Sequence, residues 1–213
     1  MRKRLIAVTA VLFIVSAIFS AVIPESDRIT VYLRGTMSPV FVSEKAFSYP
    51  AKSGNIHFGL GLDVTADLYQ NDESAKWGFS AALHASYPIV SKSFNNDFNS
   101  SDITDRHMFM LFGAGTVFRC TPSTYIDVTL AVRACIMTYD YFKSGIILGA
   151  AVEPKVDIFF TDDFFLTGGF SLADGIVKFT PGHSEKWFES GYTTVMFRAQ
   201  IGAGYRFGGD RKR

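Results

Sequence analysis

The residues with the strongest chemical character are His57, His84 and His107, which could offer imidazole to a metal, and Ser86, His84 and Asp102, whose types match an acyl-transfer triad. Neither set has the spacing its chemistry needs. His84 and Ser86 stand two apart on one alternating segment, and sequence fixes no third partner for them. Pairing that segment with the one before it, through a turn at Gln70 to Ser74, sets His57 opposite Pro88 and leaves His84 about 13 Å deeper. His-Glu-x-x-His, Gly-x-Ser-x-Gly and Cys-x-x-Cys are absent, and Gly202-Ala203-Gly204 lacks the strand-turn-helix setting of a nucleotide loop. No catalytic residue, metal or cofactor is expected. Asn99-Ser100-Ser101 matches a glycosylation sequon by chance in a loop.

Other charged residues occupy every second position of apolar segments. In Ile56 to Tyr69, the residues Ile56, Phe58, Leu60, Leu62, Val64, Ala66 and Leu68 alternate with His57, Gly59, Gly61, Asp63, Thr65, Asp67 and Tyr69. Such a period of two puts the apolar set on one face of a strand and the carboxylates on the other. The run is about three times the usual length of a strand in a soluble sandwich, and it suits a tilted strand crossing an outer membrane. A soluble barrel of the lipocalin kind would instead turn its apolar faces inward.

Seven more segments share the period. They lie near Arg28 to Ser38, Ala75 to Val90, His107 to Cys120, Thr124 to Thr138, Gly145 to Phe160, Phe164 to Leu172 and Tyr192 to Phe207. In the first, Ile29, Val31 and Leu33 face outward. In His107 to Cys120 the apolar residues Phe109, Leu111 and Val117 blur the alternation, and in Gly145 to Phe160 the ring of Pro154 calls for a bulge or bend. Turn-like connections at Gln70 to Ser74, Thr121 to Ser123 and Thr161 to Asp163 alternate with longer ones at Pro39 to Asn55, Ser91 to Arg106, Tyr139 to Ser144 and Ala173 to Gly191. The pattern predicts an all-β fold: an eight-stranded antiparallel transmembrane barrel over residues 22–207, with short periplasmic turns and longer extracellular loops. Trp77, Phe79, Phe118, Phe160, Phe164, Tyr205 and Phe207 gather at the periplasmic rim, and Tyr87 lies at the other.

Met1-Arg2-Lys3-Arg4, an apolar run from Leu5 to Phe19, and then Ser20 and Ala21 have the layout of a secretory signal peptide over residues 1–21. Phe19 is unusual for a cut after Ala21, so an uncleaved helical anchor is the alternative. Residues 208–213 form a short basic tail, and a net charge of +1 gives no basis for nucleic-acid binding. Cys120 and Cys135 lie at opposite heights of neighbouring strands, about 30 Å apart, and are expected to stay unpaired.

This alternation and loop asymmetry, spanning residues 28–207, resembles the small eight-stranded outer-membrane proteins of the OmpW, OmpX and OmpA-transmembrane-domain type, OmpW-like being nearest in length. The Phe-rich, signal-bearing character also resembles small barrels predicted in spirochaetes. The last strand ends in Phe207, similar to the aromatic end by which periplasmic chaperones and the barrel-assembly machinery receive such precursors, except that six residues follow it here.

An eight-stranded lumen is only wide enough for its side chains to fill. Arg34, Asp63, Asp67, Arg119, Asp127, Arg133, Glu153, Lys155, Asp157, Arg198 and Arg206 all face it, so they are expected to pair into a plug, with Arg133, Arg198, Glu153 and Asp63 at its middle. Toward the outer end the inward residues become Phe109, Leu111, Cys135, Met137, Ile147, Tyr192 and Met196. An apolar vestibule above a charged plug is similar to OmpW-like proteins, and the resemblance implies a conduit or binding site for a small hydrophobic ligand among outer-membrane lipid. Packing of the barrel mouth explains the same residues equally well. A surface interaction protein, an adhesin or antigen acting through Ser91 to Arg106 and Ala173 to Gly191 on an unknown host ligand, is the alternative function.

Overall fold

The computed structural model describes residues 29–44, 53–69, 74–95, 100–102, 108–138, 146–179 and 188–208. The signal segment, His107 and the last five residues of the tail lie outside that set. No described helix is long and apolar enough to cross a membrane.

Nine strands follow one another: β1 Ile29–Glu44, β2 Ser53–Tyr69, β3 Ala75–Asn95, β4 Ser100–Asp102, β5 Phe109–Ser123, β6 Ile126–Thr138, β7 Ile146–Phe159, β8 Phe164–Phe179 and β9 Phe188–Phe207. Eight of them close into an antiparallel ring. Each pairs with its neighbours, and β1 pairs with β9 to complete the circle, while β4 adds only a three-residue ladder on the outer end of β3. A closed ring leaves no unpaired edge, the condition for backbone to sit in hydrocarbon.

Alternation decides which face is which. On β6, Val128, Leu130, Val132 and Ile136 are exposed, whereas Asp127, Thr129, Ala131, Arg133, Cys135 and Met137 are buried. The structure also sorts the ambiguous strand β5: Phe109, Leu111 and Val117 point inward and Phe112 outward. Exposed Trp77, Phe79, Phe160, Phe164 and Phe207 form a ring at the end with the short turns, where Trp77 meets Phe118 at 4.7 Å and Tyr205 meets Phe164 at 4.9 Å. Val132 stands near mid-height of the outward face at 47% exposure. Replacing it with Arg is expected to cost about 2 to 4 kcal/mol, and the same change at Ser123 beside the turn about 0 to 1. Urea titration in phospholipid vesicles measures both.

Several boundaries differ from the sequence expectation. Pro39 does not end β1; it stays opposite Phe58, and the strand continues to Glu44. The regions expected as the loops Ser91 to Arg106 and Ala173 to Gly191 are in part strand, because β3 runs to Asn95, β4 covers Ser100–Asp102, β8 runs to Phe179, and β9 begins at Phe188. The polar composition of these stretches hid their pairing. The tight turn falls at Thr124 and Tyr125, after a register shift between Cys120 and Ser123. Pro154 shifts no register: it faces Leu130 on β6, while the ladder to β8 skips Glu153 and Pro154 and resumes unshifted, and the register shift of β7 lies at Leu148 and Gly149. His57 lies opposite Ser91, not Pro88: the β2–β3 hairpin closes two residues out of the expected register, with Leu68 opposite Phe79, and a shift between Phe58 and Gly59 adds one more. Val31, expected to be outward and exposed, is only 5% exposed, flanked in the ladders by Ala66 and Phe207. Cys120 and Cys135 are both free, opposite Val128 and Gly113, which separates them by roughly 23 Å along the strands rather than 30.

Candidate functional site

The lumen is built in three layers. Nearest the short turns lies a floor of rings and guanidinium groups. Arg34 sits over Tyr32 at 4.6 Å and over Phe165 at 5.2 Å, Arg119 over Tyr69 at 5.6 Å, and Arg206 over Phe159 at 5.2 Å. Arg119 also pairs with Asp127, which accepts from Thr121 Oγ1 at 2.9 Å. A cation held against a ring face keeps part of its electrostatic compensation without a carboxylate.

The middle layer centres on two carboxylates from opposite sides of the ring. Glu153 of β7 accepts from Arg133 Nη1 at 2.5 Å, His84 Nε2 at 2.8 Å and Ser171 Oγ at 3.2 Å. Lys155 Nζ lies 3.3 Å from Glu153 and donates to Asp63 Oδ2 at 3.0 Å. His84 Nδ1 approaches Asp63 Oδ1 to 2.6 Å, but outside the angle of a hydrogen bond. The imidazole thus stands between Asp63 and Glu153 and links β2, β3 and β7 across the barrel. Arg34 Nη2 donates to Asp157 at 2.8 Å, and its Nη1 to Thr65 at 3.2 Å. Ser80 donates to Asp67 at 2.5 Å and accepts from Arg133 Nη2 at 2.6 Å, which carries the network to the next carboxylate.

Arg133, Glu153 and Asp63 therefore share one network, and Arg198 does not join it. Arg198 lies higher on β9, opposite Val40 and Ser171, with Nε and Nη2 lacking any hydrogen-bond partner among the described residues. Equal spacing from the turns suggested a common height for Arg198 and Arg133, but the strands are tilted and staggered. His84, Ser80 and Ser171 were not among the expected members. Their signal was available: all three lie on the lumen parity of their strands.

Above this layer most of the lining is apolar, with Arg198, Ser86 and Thr138 buried among it. Val40, Val42, Phe109, Leu111, Cys135, Met137, Ile147, Ala151, Ala173 and Met196 form one buried cluster. Val40, Val42, Ala151 and Ala173 come in addition to the residues singled out from sequence; Tyr192 lies on β9, and its side chain is outside the description. Val40 and Val42 continue the even-numbered inward set of Arg34 beyond Pro39, where the sequence expectation ends the strand. No three His, Cys, Asp or Glu side chains among the described residues are arranged to hold a metal.

Neither a protein-family model nor a curated protein matches the chain. Solved structures do. Neisserial surface protein A matches with a TM-score of 0.50 at 10% identity, over 83% of this chain and 97% of that one. The fold is that of an eight-stranded outer-membrane barrel. OprG of Pseudomonas aeruginosa (TM-score 0.48, 11% identity, 85% and 96% coverage) and AlkL in lipid bilayers (TM-score 0.42, 13%, 87% and 93%) resemble it less closely. At these identities the likeness concerns the fold alone, and nothing in it supports the resemblance to spirochaetal barrels.

Proposed function

We propose that this outer-membrane barrel is an OmpW-like conduit or binding site that takes small hydrophobic molecules from outside, and that it does not pass ions along its axis. One observation carries the proposal: a contiguous apolar cluster at the outer mouth stands directly above a layer of paired charges in which Asp63, His84 and Glu153 are at most 1% exposed. An apolar molecule gains on the order of 25 cal/mol for each Å² it buries in such a mouth. It gains nothing by entering a network whose charges are already satisfied, so its route onward is sideways through the wall into lipid. Export by the amino-terminal segment and assembly by the periplasmic barrel machinery belong to the same proposal, and no catalytic role is assigned.

Met196 is 1% exposed and sits in the cluster opposite Val42 and Ala173. Met196→Lys is expected to reduce uptake of a hydrophobic fluorescent reporter into proteoliposomes severalfold while the protein still folds, since a lysine can reach upward to water. Planar-bilayer conductance of the unmodified protein should stay low. Uptake no greater than that of empty liposomes would abandon the conduit in favour of a surface interaction protein. That second reading has an observation of its own: β3, 21 residues long, carries β4 on an outer end that is not paired with β5 among the described residues, a projection suited to contact.

A further inference from the structure

The charges of the lumen are not all paired. Arg34, Arg119, Arg133 and Lys155 each lie against a carboxylate, and Arg206 reaches Asp163 at 4.0 Å, whereas among the described residues Arg198 has no such partner and Asp174 holds a buried Oδ1 without one. Arg198 is the buried cation that has neither a carboxylate nor a ring against it among the described residues, although it is only 2% exposed. Its free atoms are Nε and Nη2, the two donors on one edge of the guanidinium plane and the pair that a carboxylate engages with both oxygens. The arrangement is a fork without its partner.

Its neighbours are also unsatisfied. Gln200, two residues on, has no partner for Nε2 or Oε1, and Ser38 and Thr36 on adjacent β1 have none for their hydroxyls. All four side chains are buried, on the same side of the lumen. Buried polar groups are normally paired, and a guanidinium held out of water without an anion is strongly unfavourable. Below this patch the paired charges close the lumen, so an anion reaches it only from above, past Val40, Val42 and Met196. A bare inorganic anion would lose its hydration along that apolar route. An anion with an apolar tail would not, because the tail is buried where the head is paired.

We infer that Arg198, with Gln200 and Ser38 beside it, is the head-group site for an amphiphilic monocarboxylate whose tail lies in the apolar mouth. This rests on the proposed conduit for the place of the tail and adds the chemistry of the head. The two parallel donors of a single guanidinium suit the two oxygens of a monocarboxylate.

The test uses the protein in phospholipid nanodiscs with ¹⁵N-labelled arginine, titrated with decanoate, decanol and acetate against empty nanodiscs. Decanoate should shift the Arg198 Nε resonance and bind about tenfold more tightly than decanol, and acetate should bind weakly. In Arg198→Gln that preference should vanish while decanol binding is unchanged; Arg198→Lys, which keeps the charge and loses the fork, should retain only part of it. Heat-modified migration verifies that both variants fold. Equal affinities for decanoate and decanol, or a preference that survives Arg198→Gln, would overturn the head-group site and leave the apolar mouth standing. Acetate binding as tightly as decanoate would make it a site for small anions and overturn the inference. Loss of decanol binding, with acetate still seen at Arg198, would instead remove the apolar mouth as a binding site, and the amphiphile with it.

Discussion

Glu153→Gln is expected to lower the stability of the folded barrel by about 3 to 5 kcal/mol, the usual cost of breaking a buried ion pair from one side. The carboxylate is within 3.3 Å of Arg133, His84, Ser171 and Lys155 at once, so no single loss is compensated locally. The amide keeps the volume and can still accept from one or two of them. It carries no charge and so neutralises neither Arg133 nor Lys155, which are 3% and 4% exposed. Adding Lys155→Met should therefore recover part of the loss, because it removes one stranded charge, although it also deprives Asp63 of a partner. Urea midpoints of the single and double variants in vesicles measure the coupling. A midpoint unchanged by Glu153→Gln would mean that water, rather than these side chains, fills the middle of the lumen.

The second large effect comes from a residue with no side chain. A Cβ added at Gly115 would stand 2.1 Å from the carbonyl oxygen of Val132 and 2.7 Å from the Cα of Arg133, and both are backbone that cannot rotate away. Gly115 pairs with Arg133 in the β5–β6 ladder, so accommodating a larger residue means parting the two strands. Gly115→Val is expected to cost more than the roughly 1 to 3 kcal/mol of ordinary overpacking, and most chains should fail to reach the compact form that migrates anomalously on unheated gels. Gly168 is the control. A Cβ there meets nothing within 4 Å, and Gly168→Val should fold like the parent. If both glycine variants fold equally well, close backbone approach is not what selects glycine at 115.

These two results bear on what a sequence can disclose. The faces of β2 and β6 were legible because Asp63, Asp67, Asp127 and Arg133 each interrupt an apolar set at strict intervals of two. The lengths of β1, β8 and β9 were not. Pro39 and the polar run after Leu172 have the local chemistry of loops, and only pairing with a neighbour overrides it. The lumen charges could be named from parity, but not who pairs with whom: Glu153 and His84 are 69 residues apart. Partnership across the lumen depends on stagger, and bulges such as those at Phe58 and Leu148 shift stagger by one residue without a clear mark in composition. Arg198 shows the consequence most directly, since it has the type and parity of a network member and stands just out of reach of one.

The ring of strands has a further property that follows from β1 lying against β9. Val31 is opposite Phe207, and the space beside Gly208 is bounded by the carbonyl of Ile29, so the first and last described residues of the wall abut at the rim of the short turns. In space the wall is cyclic; the linear order of the gene is one cut among eight. A short linker from Gly208 back to Ile29 would make an eighth connection no longer than the short turns already present, and the cut could then be opened at any outer connection. The wall itself is thus indifferent to where the chain begins.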